Sequence, residues 1–108
     1  MFIARGSEIA AAKIGEGMTR KILAYGDELM NCEFHFEKGA VLNEHSHPHA
    51  QCSFIISGSM EFVIDGEKVV LNGGDNVYIP PHIAHSGVCL SNAHIIDAFT
   101  PKREDFLK

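Results

Sequence analysis

The sequence predicts an all-β fold, a sandwich or barrel of roughly six to nine short strands in a single domain spanning residues 1–108. Turn-forming residues recur about every eight to twelve positions, which is typical of such folds. Between the turns, apolar and polar residues alternate with the period expected of strands that bury one face. With 45% hydrophobic residues, a chain of this length can form one compact core, and we expect no second domain.

Two segments in the first two thirds of the chain give the clearest strand signals. Residues 29–38 alternate so that four apolar side chains face inward and His35 faces outward. The inward-facing residues are Met30, Cys32, Phe34 and Phe36. Residues 60–71 predict a β-hairpin, because Asp65 and Gly66 readily adopt the positive φ angles that a tight turn requires.

The last third of the chain predicts three further strands. A turn at residues 73–75 precedes a short strand at 77–79. A strand at 84–89 is expected to turn at Ser91-Asn92 and to resume at 93–100, where a proline ends it. The residues beyond that proline are expected to form one helical turn or a docked tail.

Three histidines and a glutamine are the candidate metal ligands, namely His45, His47, Gln51 and His85. In an extended segment, residues an even number apart project from the same face, which places the first three together. Neutral imidazole binds zinc, nickel, iron and copper, and a glutamine carbonyl adds an uncharged oxygen ligand. We expect one divalent transition metal per chain, zinc or nickel ahead of iron or manganese. A ligand set without a carboxylate favours polarisation of a substrate oxygen.

Residues 34–90 resemble the double motif of the cupin family. In that motif a glycine, His-x-His, an acid and a second glycine are followed by glycine, Pro-x-Gly, histidine and asparagine at fixed spacings. The corresponding residues here are Gly39, His45, His47, Gln51 and Gly58, then Gly74, Pro80, His82, His85 and Cys89. Gln51 replaces the usual glutamate, His82 the glycine and Cys89 the asparagine. The resemblance implies a small jelly-roll β-barrel.

Several other histidines and cysteines are weaker candidates. We expect His49 to support the site from outside the ligand set or to lie at the surface, and His94 has no supporting context. For His82 two interpretations stay open, simple exposure and proton donation at the pocket mouth. The three cysteines are interpreted as buried small apolar residues without disulfides, and Cys89 as packed in the core unless it lies near the site. These cysteines are Cys32, Cys52 and Cys89.

Composition and charge narrow the range of partners. Nine basic against fourteen acidic side chains give a net charge of −5, with no basic run that could follow a phosphate backbone. We expect neither nucleic acid nor a membrane as a partner. No apolar stretch reaches the length of a signal peptide or a membrane span, so a cytoplasmic protein is expected. Sheet edges and an apolar N-terminal stretch make a symmetric homodimer the default expectation.

An acidic residue inside an otherwise apolar strand is the second functional signal. Asp97 and Phe99 lie two residues apart and therefore share a face of their strand. A buried carboxylate without partners is costly, so Asp97 is paired, exposed at an edge, or kept for function. Together with Arg103 and the Arg-Glu-Asp-Phe ending at residues 103–106, these residues resemble the small cupins of the pectin-degradation protein family, which linearise 4,5-unsaturated uronates.

This second resemblance implies a function and a role for each site residue. Asp97 and Arg103 would be catalytic, and Phe99 and Arg103 would bind a small anionic sugar. The implied reaction opens the hemiacetal ring and tautomerises the product to a 5-keto-4-deoxyuronate type, without redox change or a nicotinamide cofactor. Two alternatives stay open, a metal-dependent dioxygenase of a small organic substrate and a non-catalytic sugar- or metal-binding cupin, because the fold alone cannot choose among them.

Overall fold

The computed structural model describes all 108 residues and contains eight β-strands and two short 3₁₀ helices. The strands are β1 (Ala12–Gly15), β2 (Met18–Tyr25), β3 (Met30–Phe36), β4 (Val41–His45), β5 (Ala50–Ile64), β6 (Glu67–Asn72), β7 (Asn76–Ile79) and β8 (His85–Thr100). The helices cover Gly6–Glu8 and Glu104–Leu107. The predicted all-β class and strand number are confirmed, as is the short helical turn in the C-terminal tail. The two helices have three and four residues, and neither could span a membrane.

The two longest strands, β5 and β8, form the centre of the barrel. They are 15 and 16 residues long and pair antiparallel along nearly their whole length. The first half of β5 and the second half of β8 join β1, β2, β3 and β7, whereas their other halves join β4 and β6. Because each long strand passes from one set of neighbours to the other, the sheet folds over on itself and encloses one core. This is the predicted jelly-roll barrel.

The bend in the central pair lies where the register shifts between Ile55 and Met60. Gly58, at a φ of 84°, lies against β8 there, and a Cβ on it would be 2.1 Å from the carbonyl oxygen of Asn92. The turn predicted at Ser91-Asn92 is wrong, because β8 continues through both residues. Bulges in the pair produce the bend without interrupting the strand, and the polar residues at that point are exposed on its outer side.

The core fills the space between the folded halves of the sheet. The alternation predicted for β3 is confirmed, since its four apolar side chains are buried and His35 is exposed. Cys32 and Cys89 are buried as expected. The prediction that Cys52 is buried is wrong, because it lies between the inward-facing Gln51 and Ser53 and so points outward. All three cysteines are free thiols.

The predicted hairpin joins β5 to β6. Asp65 and Gly66 have φ angles of 51° and 78°, and Ile64 pairs with Glu67 across the turn, as a primed turn requires. The sequence analysis did not identify β1 and β2. Every residue of β2 is half-buried, so neither face of the strand requires only apolar residues. Its sequence accordingly lacks the alternation of apolar and polar residues that would predict a strand.

Replacing Gly58 with alanine should lower the free energy of unfolding by about 3 kcal/mol or more, because its Cβ has no room beside the Asn92 carbonyl. Gly39 is the matched control, since its φ of 89° is similar and nothing lies within 4 Å of its Cβ position. Gly39→Ala should cost only about 1–2 kcal/mol, the backbone part of the effect. Urea unfolding of both variants measures the difference, and equal losses would contradict the close contact.

Candidate metal centre and active site

The four predicted metal ligands come together at one end of the barrel. His45 ends β4 and lies directly opposite His85, which begins β8. His47 lies in the loop before β5, and Gln51 is near the start of that strand. The candidate ligand nitrogens of the three histidines all lie within 4.8 Å of one another. The predicted proximity is therefore present, but its cause differs: the loop at residues 46–49 interrupts the extended segment, and strand pairing brings the side chains together.

Backbone carbonyls determine which nitrogen of each ring is free. His45 Nδ1 is 2.8 Å from the Asn43 oxygen, His47 Nδ1 is 2.9 Å from the His49 oxygen, and His85 Nδ1 is 2.8 Å from the Ile83 oxygen. A carbonyl only accepts hydrogen bonds, so each neutral ring carries its proton on Nδ1. The lone pair is then on Nε2, as in histidines that ligate metals through that atom.

The Nε2 atoms of His47 and His85 accept no hydrogen bond from a donor group. His85 Nε2 is buried without a hydrogen-bond partner, and His47 Nε2 is 2.8 Å from Gln51 Oε1, which is also an acceptor. Burial lowers the pKa of His47 to about 4, with the charge of Arg103 acting in the same direction, so that ring is neutral at pH 7. Burial also lowers the pKa of His85. Lone pairs that face one another in a buried site can coordinate a cation between them. The ligand types present here therefore suit a divalent metal.

Gln51 is oriented by the groups behind it. Its Nε2 donates to Ser53 Oγ at 3.0 Å and to Asp97 Oδ2 at 3.4 Å, which turns Oε1 toward His47. Strand pairing explains this arrangement, since Gln51 lies opposite Phe99 and Ser53 lies opposite Asp97 across β5 and β8. Ser53 was missed by the sequence analysis, although its position two residues after Gln51 predicts the same inward face.

Asp97 is buried and has no ion-pair partner. Its Oδ1 has no hydrogen bond, and the nearby Arg103 pairs with Asp105 instead. Burial raises the pKa of Asp97 to about 7, and the neighbouring Ser53 hydroxyl and Arg103 charge offset that effect only in part. Of the three explanations for an acid in this strand, pairing and exposure at an edge do not apply. A carboxyl that titrates near neutral pH is suited to proton transfer.

Arg103 is held in place although it lies in the charged tail. Arg103 is only 8% exposed, and its Nε and Nη2 donate to the two carboxylate oxygens of Asp105 at 3.0 and 2.8 Å. The guanidinium also stacks over the rings of Phe106 and Phe99, at 4.0 and 4.9 Å from their centroids. The sequence analysis gave Asp105 no role, although the Arg-Glu-Asp-Phe ending at residues 103–106 includes it.

Phe99 forms the floor beneath these groups. It is 2% exposed, and the rings of His47 and Phe106 meet it edge-on at centroid distances of 5.9 and 5.7 Å. Arg103 covers part of its face. Phe99 therefore packs against a metal-ligand candidate and the arginine, and its direct contact with a sugar stays a prediction.

Two cavities meet at Arg103. An inner cavity of about 60 Å³ is lined by Gln51, Ser53, His85 and Asp97 among others, and it has room for a few water molecules. An outer groove of about 600 Å³ is lined by polar and charged residues and two prolines. The outer groove contains Asp27, Ser46, His47, Pro48, His49, Pro101, Lys102, Arg103, Glu104 and Asp105. Arg103 is the one residue that lines both the groove and the cavity.

The remaining candidates lie around this site or away from it. His49 lines the outer groove and supports His47 through its backbone carbonyl. His82 is exposed, and its backbone N–H donates to the His47 oxygen at 2.8 Å. Its φ of 67° explains why glycine is usual at that place in the motif. Cys89 is part of the hydrophobic core.

Comparisons with known proteins agree with this geometry. Residues 32–99 match the cupin domain family. The chain is 41% identical over 97 residues to the pectin degradation protein KdgF of Dickeya dadantii strain 3937, with 88% of each chain covered.

Two solved structures, both similar to this chain over nearly its whole length, also belong to cupin proteins. An RmlC-like cupin from Shewanella frigidimarina NCIMB 400 superposes with a TM-score of 0.93 at 37% identity, covering 98% of this chain and 96% of that one. KdgF from Halomonas sp. also superposes with a TM-score of 0.93, at 32% identity and with 98% of both chains covered. The chain therefore belongs to the cupin domain family and, within it, to the pectin degradation proteins of the KdgF family.

Proposed function

We propose that this protein is a metal-dependent enzyme that converts 4,5-unsaturated uronates, released from pectin or alginate, into linear 5-keto-4-deoxyuronate-type products. The supporting observation is the convergence, at one end of the barrel, of three imidazoles and a glutamine oxygen with an unpaired buried carboxyl, Asp97, and a fixed guanidinium, Arg103. The names of the two KdgF relatives, one of them a pectin degradation protein, agree with this substrate class.

The metal would be held by His45, His47, Gln51 and His85. Zinc or nickel is the first choice, and iron or manganese is compatible with the same ligands. When bound, a divalent cation supplies Lewis-acid polarisation of a substrate oxygen. Because none of the four ligands is a carboxylate, the set leaves that positive charge largely uncompensated.

Arg103 would bind the carboxylate of the uronate. Asp105 takes its Nε and one Nη2 hydrogen, which leaves the other N–H groups of the planar guanidinium for an anion. A sugar ring does not fit the inner cavity of about 60 Å³, so the ring would lie in the outer groove, with its reacting end turned toward Asp97. Phe99 supports Arg103 and His47 from below.

Asp97 would move the proton. Opening the hemiacetal breaks the bond between C1 and the ring oxygen, and the C1 hydroxyl loses its proton as the aldehyde forms. The ring oxygen leaves as the enolate at C5, which takes up that proton at C4 and becomes the ketone. The reaction is an isomerisation, so it needs neither an oxidant nor a nicotinamide. A carboxyl whose pKa is raised to about 7 is able both to accept and to donate that proton near neutral pH.

A cytoplasmic homodimer stays a prediction. Phe54, Ile56 and Tyr78 are large apolar side chains that are exposed on the paired strands β5 and β7. A second copy of the chain packed on this surface would remove them from water.

The proposed function is tested by following the ultraviolet absorbance of a 4,5-unsaturated galacturonate and of an alginate-derived monouronate, without oxygen. Metal-loaded protein should accelerate the loss of the absorbance over spontaneous opening, and chelated protein should not. No acceleration with either epimer would contradict the proposal. Oxygen consumption by the iron-loaded protein would favour the dioxygenase alternative, and binding without turnover would favour the binding module.

Replacing Asp97 with asparagine should lower kcat about 100-fold or more and leave KM nearly unchanged, because an amide cannot exchange the proton. Steady-state kinetics with the metal content matched to wild type measures this change. Asp75→Asn is the control for the same chemical change, since Asp75 lies in an exposed turn outside the pocket. A kcat close to that of wild type in Asp97→Asn would remove Asp97 from the proton transfer.

Replacing Arg103 with lysine should lower kcat/KM about 10- to 100-fold, because a single ammonium keeps the charge but loses the planar pair of hydrogen bonds. The loss should appear mainly in KM, measured with the same absorbance assay. Lys102→Ala is the comparison, since Lys102 lines the same outer groove but pairs with Asp27 at 2.8 Å. Equal kinetics for Arg103→Lys and wild type would exclude the assigned carboxylate contact.

A further inference from the structure

A second group of ligand-type side chains lies outside the barrel, apart from the pocket. Glu33 and His35 are on β3, and His94 is on β8. Their candidate ligand atoms all lie within 4.8 Å of one another. The β3 residues alternate with buried apolar ones, so they project from the outer face of the sheet. The proposed pocket chemistry uses none of the three.

Strand pairing determines the geometry of this group. His35 lies directly opposite His94, and the two rings stack with centroids 4.3 Å apart and planes at 14°. Glu33 Oε2 is 2.9 Å from His94 Nε2, and Glu33 Oε1 is 3.8 Å from His35 Nε2. Both imidazoles therefore turn the same nitrogen toward one carboxylate, which is the arrangement that a single cation between the three would need.

The three side chains are fixed on paired strands and are accessible to solvent. The side chains of Glu33, His94 and His35 are 19%, 28% and 54% exposed. Their backbones lie in paired strands, so binding a ligand costs little ordering of the chain. A groove of about 610 Å³ lined by both histidines gives access from solvent. Glu16, Glu37 and Lys13 also line it, and because Lys13 pairs with Glu16 at 3.5 Å, Glu37 supplies the remaining negative charge.

The lysine on the neighbouring strand does not block a cation. Lys21 lies opposite Glu33 on β2 and would compete for its carboxylate. Its ammonium donates instead to the Gly6 carbonyl at 2.9 Å. A metal would replace the hydrogen bond between His94 and Glu33 and the longer contact of 3.8 Å between His35 and Glu33.

We propose that Glu33, His35 and His94 form a second binding site, for a divalent transition cation of the zinc class. Two imidazole nitrogens and one carboxylate oxygen make three protein ligands, and water would complete the coordination. The site would link β3 to β8 across the sheet. Because it is partly exposed and offers three protein ligands, its affinity should be lower than that of the pocket site.

The test titrates Zn²⁺ into protein whose pocket site already holds one equivalent of metal, followed by calorimetry. Wild type should take up a second equivalent, and the ring-proton NMR signals of His35 and His94 should shift with it. His94→Gln and His35→Gln should each weaken the second equivalent at least tenfold, since an amide keeps the polarity and loses the imidazole ligand. Retention of the first equivalent by these variants shows that they are folded.

His82→Gln is the matched control, because His82 is an exposed histidine outside both groups. It should bind two equivalents as wild type does. A wild-type protein that takes up only one equivalent would overturn the proposal. A second equivalent that survives unchanged in the double variant His35→Gln/His94→Gln would overturn it as well, since the zinc would then lie elsewhere.

Discussion

The antiparallel pairing of β5 with β8 is the constraint on which the rest of the structure depends. It runs along nearly the whole of both strands, and its register places Gln51 and Ser53 opposite Phe99 and Asp97. The start of β8 pairs with β4 as well, which sets His85 against His45. Side chains from distant parts of the chain thus meet through backbone hydrogen bonds, not through the loops that separate them. A one-residue slip of β8 would turn its own site residues, His85, Asp97 and Phe99, outward.

The same pairing explains why the pocket is polar inside a small protein. Three buried atoms in and around the site have no partners, His49 Nδ1, His85 Nε2 and Asp97 Oδ1, and each such group costs about 1–3 kcal/mol. A core of 12 buried apolar residues supplies the stability that offsets these costs. Burial also keeps His47 and His85 neutral and raises the pKa of Asp97 to about 7. The environment that destabilises the folded chain therefore leaves imidazoles with free lone pairs and a carboxyl that titrates near neutral pH.

Much of this was predictable from the sequence, and the failures have physical causes. Alternation identified β3 and turn chemistry identified the Asp65-Gly66 hairpin, because both depend on local residues. The spacing and identity of the histidines predicted a group that the structure brings together, and ligation of a metal by that group stays a prediction. Ser91 and Asn92 looked like a turn, but the register of the partner strand produces a bend instead. The burial of Arg103 depends on Asp105 and Phe106, whose positions are set by docking of the tail, which a linear pattern does not contain.

Electrostatic repulsion from Arg103 acts on any positive charge at the candidate metal ligands. Arg103 lowers the pKa of His47, which means that a positive charge on or near His47 is unfavourable while Arg103 is beside it. The same repulsion would act between Arg103 and a cation held by uncharged ligands, and Asp105 offsets it only in part because Asp105 is largely exposed. An anion bound between the two positive groups would relieve the repulsion, whereas a neutral sugar would not. Under the proposed function, a ligand set without a carboxylate therefore contributes to the selection of an acidic sugar.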